Sequence, residues 1–292
     1  MNDVPALFFE GVVSQFFSKK DLLCVSALAG RSGHVASEAY AKRFCQYMML
    51  RNGSLVHQQN YNCELKPMDI GTPKRKHFHY LTIATRAGEE EYNTDREAMK
   101  RVLTATKGKH VILFLETSNI SEEIAKCVES IRHVFDLQVE TKITIGVLKM
   151  MRSLVEKNTL NEMSVAEGAE IEEETVQLLV DLLQQKQFYQ MFLYEKCSAA
   201  LKMIIASWRE NSEEMVGKVI HCEEEFSELQ LSSTEFPFEE CNEREERKAE
   251  RAYPFAANWP NITAKSVLRS QNGSAVYYFS RSSGFKTVFL FA

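Results

Sequence analysis

Residues 160–193 read Leu160-Asn161-Glu162-Met163-Ser164-Val165, then the acidic opening Glu172-Glu173-Glu174 of a segment with helical period to residue 187, then Phe188-Tyr189-Gln190-Met191-Phe192-Leu193. The flanking runs are short and apolar or alternating, as strands are. The middle segment places negative charge in a first turn, where the helix dipole favours it. Strand, helix and strand follow one another with 28 residues between strand starts (160 to 188), the length of one supersecondary unit.

Working outward, the same plan recurs. Strands are expected at 78–83, 111–115, 141–145, 160–165, 188–193 and 218–222, and helices at 94–106, 121–135, 146–157, 172–187 and 199–211. Ser121-Glu122-Glu123-Ile124 repeats the acidic helix start. Connections this short that carry one helix each favour parallel neighbours joined by right-handed crossovers. The fold class is therefore α/β. A leucine-rich-repeat-like stack and a flatter α/β sandwich both satisfy the spacing, and the stack is preferred because every unit is built alike.

The pattern changes at both ends of this run. Residues 46–76 carry Asn52-Gly53, Pro67, Gly71 and Pro73 with little periodicity and are expected to form a linker with one strand near 50–61. Beyond 235, the mixed-charge run 239–251 has many opposite-sign pairs at helical offsets and reads as a solvated helix or an acidic linker. The apolar runs 274–280 and 287–291 flank the polar turn Arg281-Ser282-Ser283-Gly284 and are expected to form a C-terminal β-hairpin. The expected organisation is a helical module over 1–45, a linker over 46–76, a β/α repeat domain over 77–235, and a charged segment with hairpin over 236–292.

In the N-terminal module, Pro5, Phe8, Phe9, Val12, Val13, Phe16 and Phe17 recur at steps of three and four and form one broad apolar helix stripe. Pro5 suits the first turn, where its missing N–H is not needed. Ser18 offers an N-cap for a second helix through Leu22, Leu23 and Val25 that stops at Gly30, and a third helix starts at Ser32 or Gly33 and runs through Val35, Ala36, Ala39 and Tyr40. Three short helices cannot bury so many large apolar side chains among themselves. Either a partner covers the stripe, or the helices pack on the body of the same chain.

The 292 residues are 45% hydrophobic and 26% charged, ordinary globular composition. A net charge of −5 with dispersed Lys and Arg gives no basis for binding a polyanion, so no nucleic-acid partner is expected. The seven cysteines are scattered, with no CxxC pair, as suits reduced thiols in the cytoplasm or nucleus. Asp3 and Glu10 interrupt the apolar start and Lys19-Lys20 follows it, the reverse of a secretory signal, so the sequons at Asn52, Asn119, Asn261 and Asn272 are read as chance. No apolar run is long enough to span a bilayer, and no membrane partner is expected.

No catalytic constellation stands out. His77 and His79 share a strand face, but no third metal ligand is evident and Lys74-Arg75-Lys76 would repel a cation. Gly30-Arg31-Ser32-Gly33 follows a helix rather than a strand and reads as a helix break, not a phosphate loop. The acidic stretches 167–174 and 223–225 lack the alternating ligands and turn glycine of a calcium loop. Neither an enzyme nor a cofactor is expected.

Val4-Pro5 opening a helix, Phe8-Phe9-Glu10, Val12-Val13, and the step Ser18-Lys19-Lys20-Asp21-Leu22-Leu23 into Val25-Ser26 resemble the F-box, and the charged, repeat-built remainder looks like the divergent F-box-associated proteins of nematodes. The resemblance covers about 40 residues. It implies docking onto a Skp-type adaptor within a cullin-based ubiquitin ligase, with the C-terminal domain binding the protein to be ubiquitinated. The adaptor-binding candidates it implies are Pro5, Phe9, Val12, Val13, Phe16, Leu22, Leu23 and Val25. The alternative is a repeat scaffold whose N-terminal helices cap the stack and bind no adaptor.

Overall fold

Gly30 takes a φ of 87°, a left-handed conformation that only glycine adopts without strain, and helix α1 (Arg31–Lys42) begins directly after it. The computed structural model describes residues 25–27, 30–42, 44–62, 66–68, 78–86, 95–107, 109–166, 171–194, 197–229, 231, 235–252, 263–270, 273–280 and 286–292. The architecture is mixed α/β, and the chain divides into two compact units, Met1–Leu113 and Phe114–Ala292.

In the first unit, strand β1 (Phe44–Arg51) lies between β2 (Ser54–Asn62), its antiparallel partner, and β3 (Phe78–Arg86), its parallel partner. The linker expected over 46–76 is thus corrected to a hairpin over its first half. Asn52 and Gly53 both have positive φ, 47° and 83°, and Arg51 pairs with Ser54 across them. This is the two-residue turn whose twist matches that of the strands. A Gly53→Ala variant should lose about 1 kcal/mol of stability in urea unfolding, because alanine resists that φ. Helix α2 (Arg96–Thr106) completes the unit, with the Asp95 carboxylate accepting from the Glu97 N–H at 2.9 Å as its N-cap. Strand β4 (Val111–Leu115) carries the division between the units.

The second unit alternates helix and strand: α3 (Glu122–Ser130), β5 (Val134–Val139), α4 (Ile145–Glu156), β6 (Glu162–Val165), α5 (Glu173–Leu183), β7 (Gln190–Leu193), α6 (Ser198–Glu210) and β8 (Val219–Cys222). Strands β5 to β8 are parallel and stand in sequence order, and each helix packs on the next. The in-register rows Leu137-Met163-Met191-Ile220 and Val139-Val165-Leu193-Cys222 are fully buried beneath the helical layer.

The strand expected at 141–145 is not one. Thr144 instead caps α4, its hydroxyl accepting from the Val147 N–H at 3.5 Å and donating to the Ser118 carbonyl at 3.0 Å. The true strand, β5, begins within the segment read as the tail of the preceding helix. That helix ends early because the Ile131 N–H turns back to the Val128 carbonyl at 3.0 Å.

The ends of three successive helices are closed by a side chain from the following unit. Lys157 donates to the carbonyls of Val128 and Glu129 in the last turn of α3 and of Ile131 just past it. Gln185 donates to the Val155 carbonyl at the end of α4, at 2.7 Å. Lys218 donates to the carbonyls of Gln185 at 2.6 Å, Lys186 at 3.4 Å and Phe188 at 2.5 Å after α5. Helix C-termini leave carbonyls unsatisfied, and a cation there also meets the negative end of the dipole.

The expected C-terminal hairpin exists as β11 (Ala275–Ser280) and β12 (Thr287–Phe291), but it belongs to a larger antiparallel sheet. Strand β12 pairs antiparallel with β8, ending the parallel run, and β10 (Thr263–Arg269) and the short β9 (Glu239–Glu240) extend the sheet beyond β11. Helix α7 (Glu243–Ala252) forms within the charged run and packs on β10. Ala249 joins Val219, Val267, Tyr277, Phe279, Val288 and Leu290 in one buried cluster.

Candidate functional site

Strands with both faces under helices read as unbroken apolar runs, whereas β5, β6 and β7 alternate. Asp136 and Gln138 of β5, Glu162 and Ser164 of β6, and Gln190 and Phe192 of β7 are in register and point to the face away from the helical layer. Two polar rows cross the sheet in consequence. Asp136, Glu162 and Gln190 form one, and Gln138, Ser164 and Phe192 form the other, which meets His221 on β8.

The first row is buried at Asp136 and Gln190 and half-buried at Glu162. Asp136 and Gln190 are each only 6% exposed. Gln138 donates its amide to the Asp136 carboxylate at 2.7 Å, and the Tyr189 hydroxyl donates to the Glu162 carboxylate. Among the described residues, one oxygen of Asp136 and the side-chain oxygen of Gln190 have no hydrogen-bond donor. Burial, and secondarily the Glu162 charge, pushes the Asp136 carboxyl up to about 6. Burial also raises Glu162, against the opposing effect of the Tyr189 hydrogen bond, and burial with the Glu162 charge raises Tyr189. Burial thus favours the neutral form of both carboxyls, and holds Asp136 protonated up to about pH 6.

The second row is half-buried at Gln138, Ser164 and Phe192. Phe192 stacks on the fully buried His221 at 4.6 Å between ring centroids and 15° between planes. The combination of amide, hydroxyl and aromatic ring along a sheet face suits contact with a polypeptide.

Cysteine chemistry is unfavourable at two of the buried thiols. Burial pushes Cys127 up to about 11, and burial with the adjacent Cys197 pushes Cys222 up, so neither forms a thiolate readily. Among the described residues, no group of three or more His, Cys, Asp or Glu side chains is placed to hold a metal ion. No described helix is long and apolar enough to cross a membrane.

Of the adaptor-binding candidates, Pro5, Phe9, Val12, Val13, Phe16, Leu22 and Leu23 lie outside the described residues, as does His77. Val25 is described, and it packs against Val35 and Ala36 of α1, the third helix of the expected module. The carboxyl row was missed by sequence reasoning. The signal that carries it is a polar residue at alternate positions of three short strands, visible only when the strands are placed in register.

The chain matches no protein-family model, no curated protein and no solved structure.

Proposed function

We propose that the chain is a protein-interaction subunit, recruiting a target protein to a Skp/cullin-type ubiquitin ligase. Residues 1–45 supply the F-box-like module, and the β/α units supply the recognition surface. The reading rests on one observation above all: sequential parallel strands whose unhelical face carries the half-buried row Gln138, Ser164 and Phe192. Repeat stacks of the leucine-rich kind bind proteins on such sheet faces. The recurrence of helix-end closure by Lys157, Gln185 and Lys218 supports a stack of like units.

The adaptor would lie on the stripe Pro5, Phe9, Val12, Val13 and Phe16, completed by Leu22, Leu23 and Val25, by the helix-in-groove mode. Phe9→Asp combined with Leu22→Asp should abolish co-purification of a Skp-type adaptor while the melting curve of the purified chain stays unchanged. Undiminished recovery of the adaptor would sink the proposal.

A capping role for the same helices is the second reading. It is favoured by α1 belonging to one compact unit with β1, β2 and β3. It predicts that the double variant melts early or aggregates, whether or not adaptor is present.

A further inference from the structure

Helix α7 reads Glu243-Arg244-Glu245-Glu246-Arg247-Lys248-Ala249-Glu250-Arg251-Ala252, with charges that sum to zero over 243–251. They are not mixed around the helix. At about 3.6 residues per turn, Arg244, Arg247, Lys248 and Arg251 fall within an arc of about 100°, and no acidic residue falls inside it. The opposite side is fixed to the protein: Ala249 is buried in the β10–β12 core and Glu245 pairs with Arg269 of β10. The basic arc is thereby turned outward, and all four cations are exposed.

This arrangement is not one that helix stability selects. Arg244 with Lys248, and Arg247 with Arg251, are like-charge pairs four residues apart, which destabilise a helix. Only Arg247 is paired, with Glu243 at 3.3 Å; among the described residues Arg244, Lys248 and Arg251 have no ion-pair partner. The same side chains, with Asn242 and Glu243, line one open stretch of surface.

We infer that the Arg244, Arg247, Lys248 and Arg251 face of α7 is a docking surface for a short acidic peptide segment of a partner protein. Guanidinium groups match carboxylates bidentately. Carboxylates at alternate positions of an extended chain are about 7 Å apart, within reach of arginines on successive turns about 5 Å apart. A long polyanion fits poorly. The stripe from Arg244 to Arg251 covers about 10 Å of helix axis, and Glu239, Glu240 and Glu243 stand exposed at its N-terminal end.

Helix α7 lies in the second unit, apart in sequence from the F-box-like module, and the test runs on the full chain with a fluorescein-labelled Asp/Glu-repeat peptide read by anisotropy at low salt. Wild type should bind and weaken as salt is added. Arg247→Gln with Arg251→Gln should lower affinity at least about tenfold, the usual loss for hydrogen bonds to charged groups. Lys248→Glu gives a separating readout. It creates a favourable pair with Arg244, so melting temperature holds or rises while peptide affinity falls, whereas a purely structural role would move both together. Phe9→Asp with Leu22→Asp should leave peptide affinity unchanged. Absence of binding by wild type, equal binding by the arginine double variant, or tighter binding of an oligothymidylate through the same residues would each overturn the inference.

Discussion

Lys218→Met should destabilise the second unit by about 3 kcal/mol in urea unfolding, well beyond the effect of Lys157→Met. Lys218 is 4% exposed and donates to three carbonyls just beyond the last turn of α5. Methionine keeps the apolar stem but removes every donor, leaving the buried Phe188 carbonyl without the lysine that it binds, at about 1–3 kcal/mol for such a group. Burial lowers the Lys218 pKa and so works against its charge, yet the carbonyls and the helix dipole still hold it in place. Lys157 makes the equivalent contacts at the end of α3 from a half-buried position, where water can replace it, so Lys157→Met should cost about 1 kcal/mol. Equal effects of the two substitutions, or none from Lys218→Met, would show that these bonds do not hold the helix ends.

The β/α alternation was legible because hydrophobic period and acidic helix starts are local signals. The strand 111–115 and the helices from residues 122, 145, 173 and 198 follow directly from them. Failures came where a local signal had two meanings. Thr141 to Ile145 alternates like a strand, yet Thr144 is a helix cap whose hydroxyl is fixed by a carbonyl 26 residues earlier in the chain. Val134-Phe135-Asp136-Leu137 lacks an unbroken apolar run because Asp136 points to the polar face. Asn52-Gly53 was weighed as a loop signal, although with apolar runs on both sides it is equally a hairpin signal. Strand β10 escaped because Lys265, Ser266 and Arg269 dilute its pattern.

The candidate site was legible only in part, for a reason of register. Asp136, Glu162 and Gln190 are 26 and 28 residues apart in sequence, and none is unusual in its own neighbourhood. They become a site only when three strands align so that the residues share one row. The basic arc of α7 shows the same dependence on placement. Read as a run, residues 239–251 carry many opposite-sign charges close together. Once the helix begins at Glu243, three of the four pairs of charged residues spaced four apart within 243–251 are of like sign: 244 with 248, 246 with 250, and 247 with 251. A charge pattern thus acquires meaning from the helix start, which the run alone does not define.

Asp136→Asn should raise stability by about 2 kcal/mol at pH 7.5 and leave it almost unchanged at pH 4. Burial, with Glu162 beside it, holds the Asp136 carboxyl at about 6 in the folded chain, against an ordinary value of 3.8. The native state therefore binds more protons than the unfolded chain between those values, so stability falls as pH rises across that window. The contribution is complete below about pH 4, declines through about 6 and is absent above it. A shift of about two units corresponds to about 3 kcal/mol. Asparagine fills the same space, still accepts the Gln138 amide, and offers an NH2 where the carboxylate leaves an oxygen without a donor. Glu162, whose pKa is also raised, keeps a smaller slope of the same sign in the variant. Urea midpoints measured from pH 4 to 8 should separate the two proteins progressively from about pH 4 to about 6 and keep them apart above it. Parallel curves across that range would mean that Asp136 is ionised at no cost in the folded state.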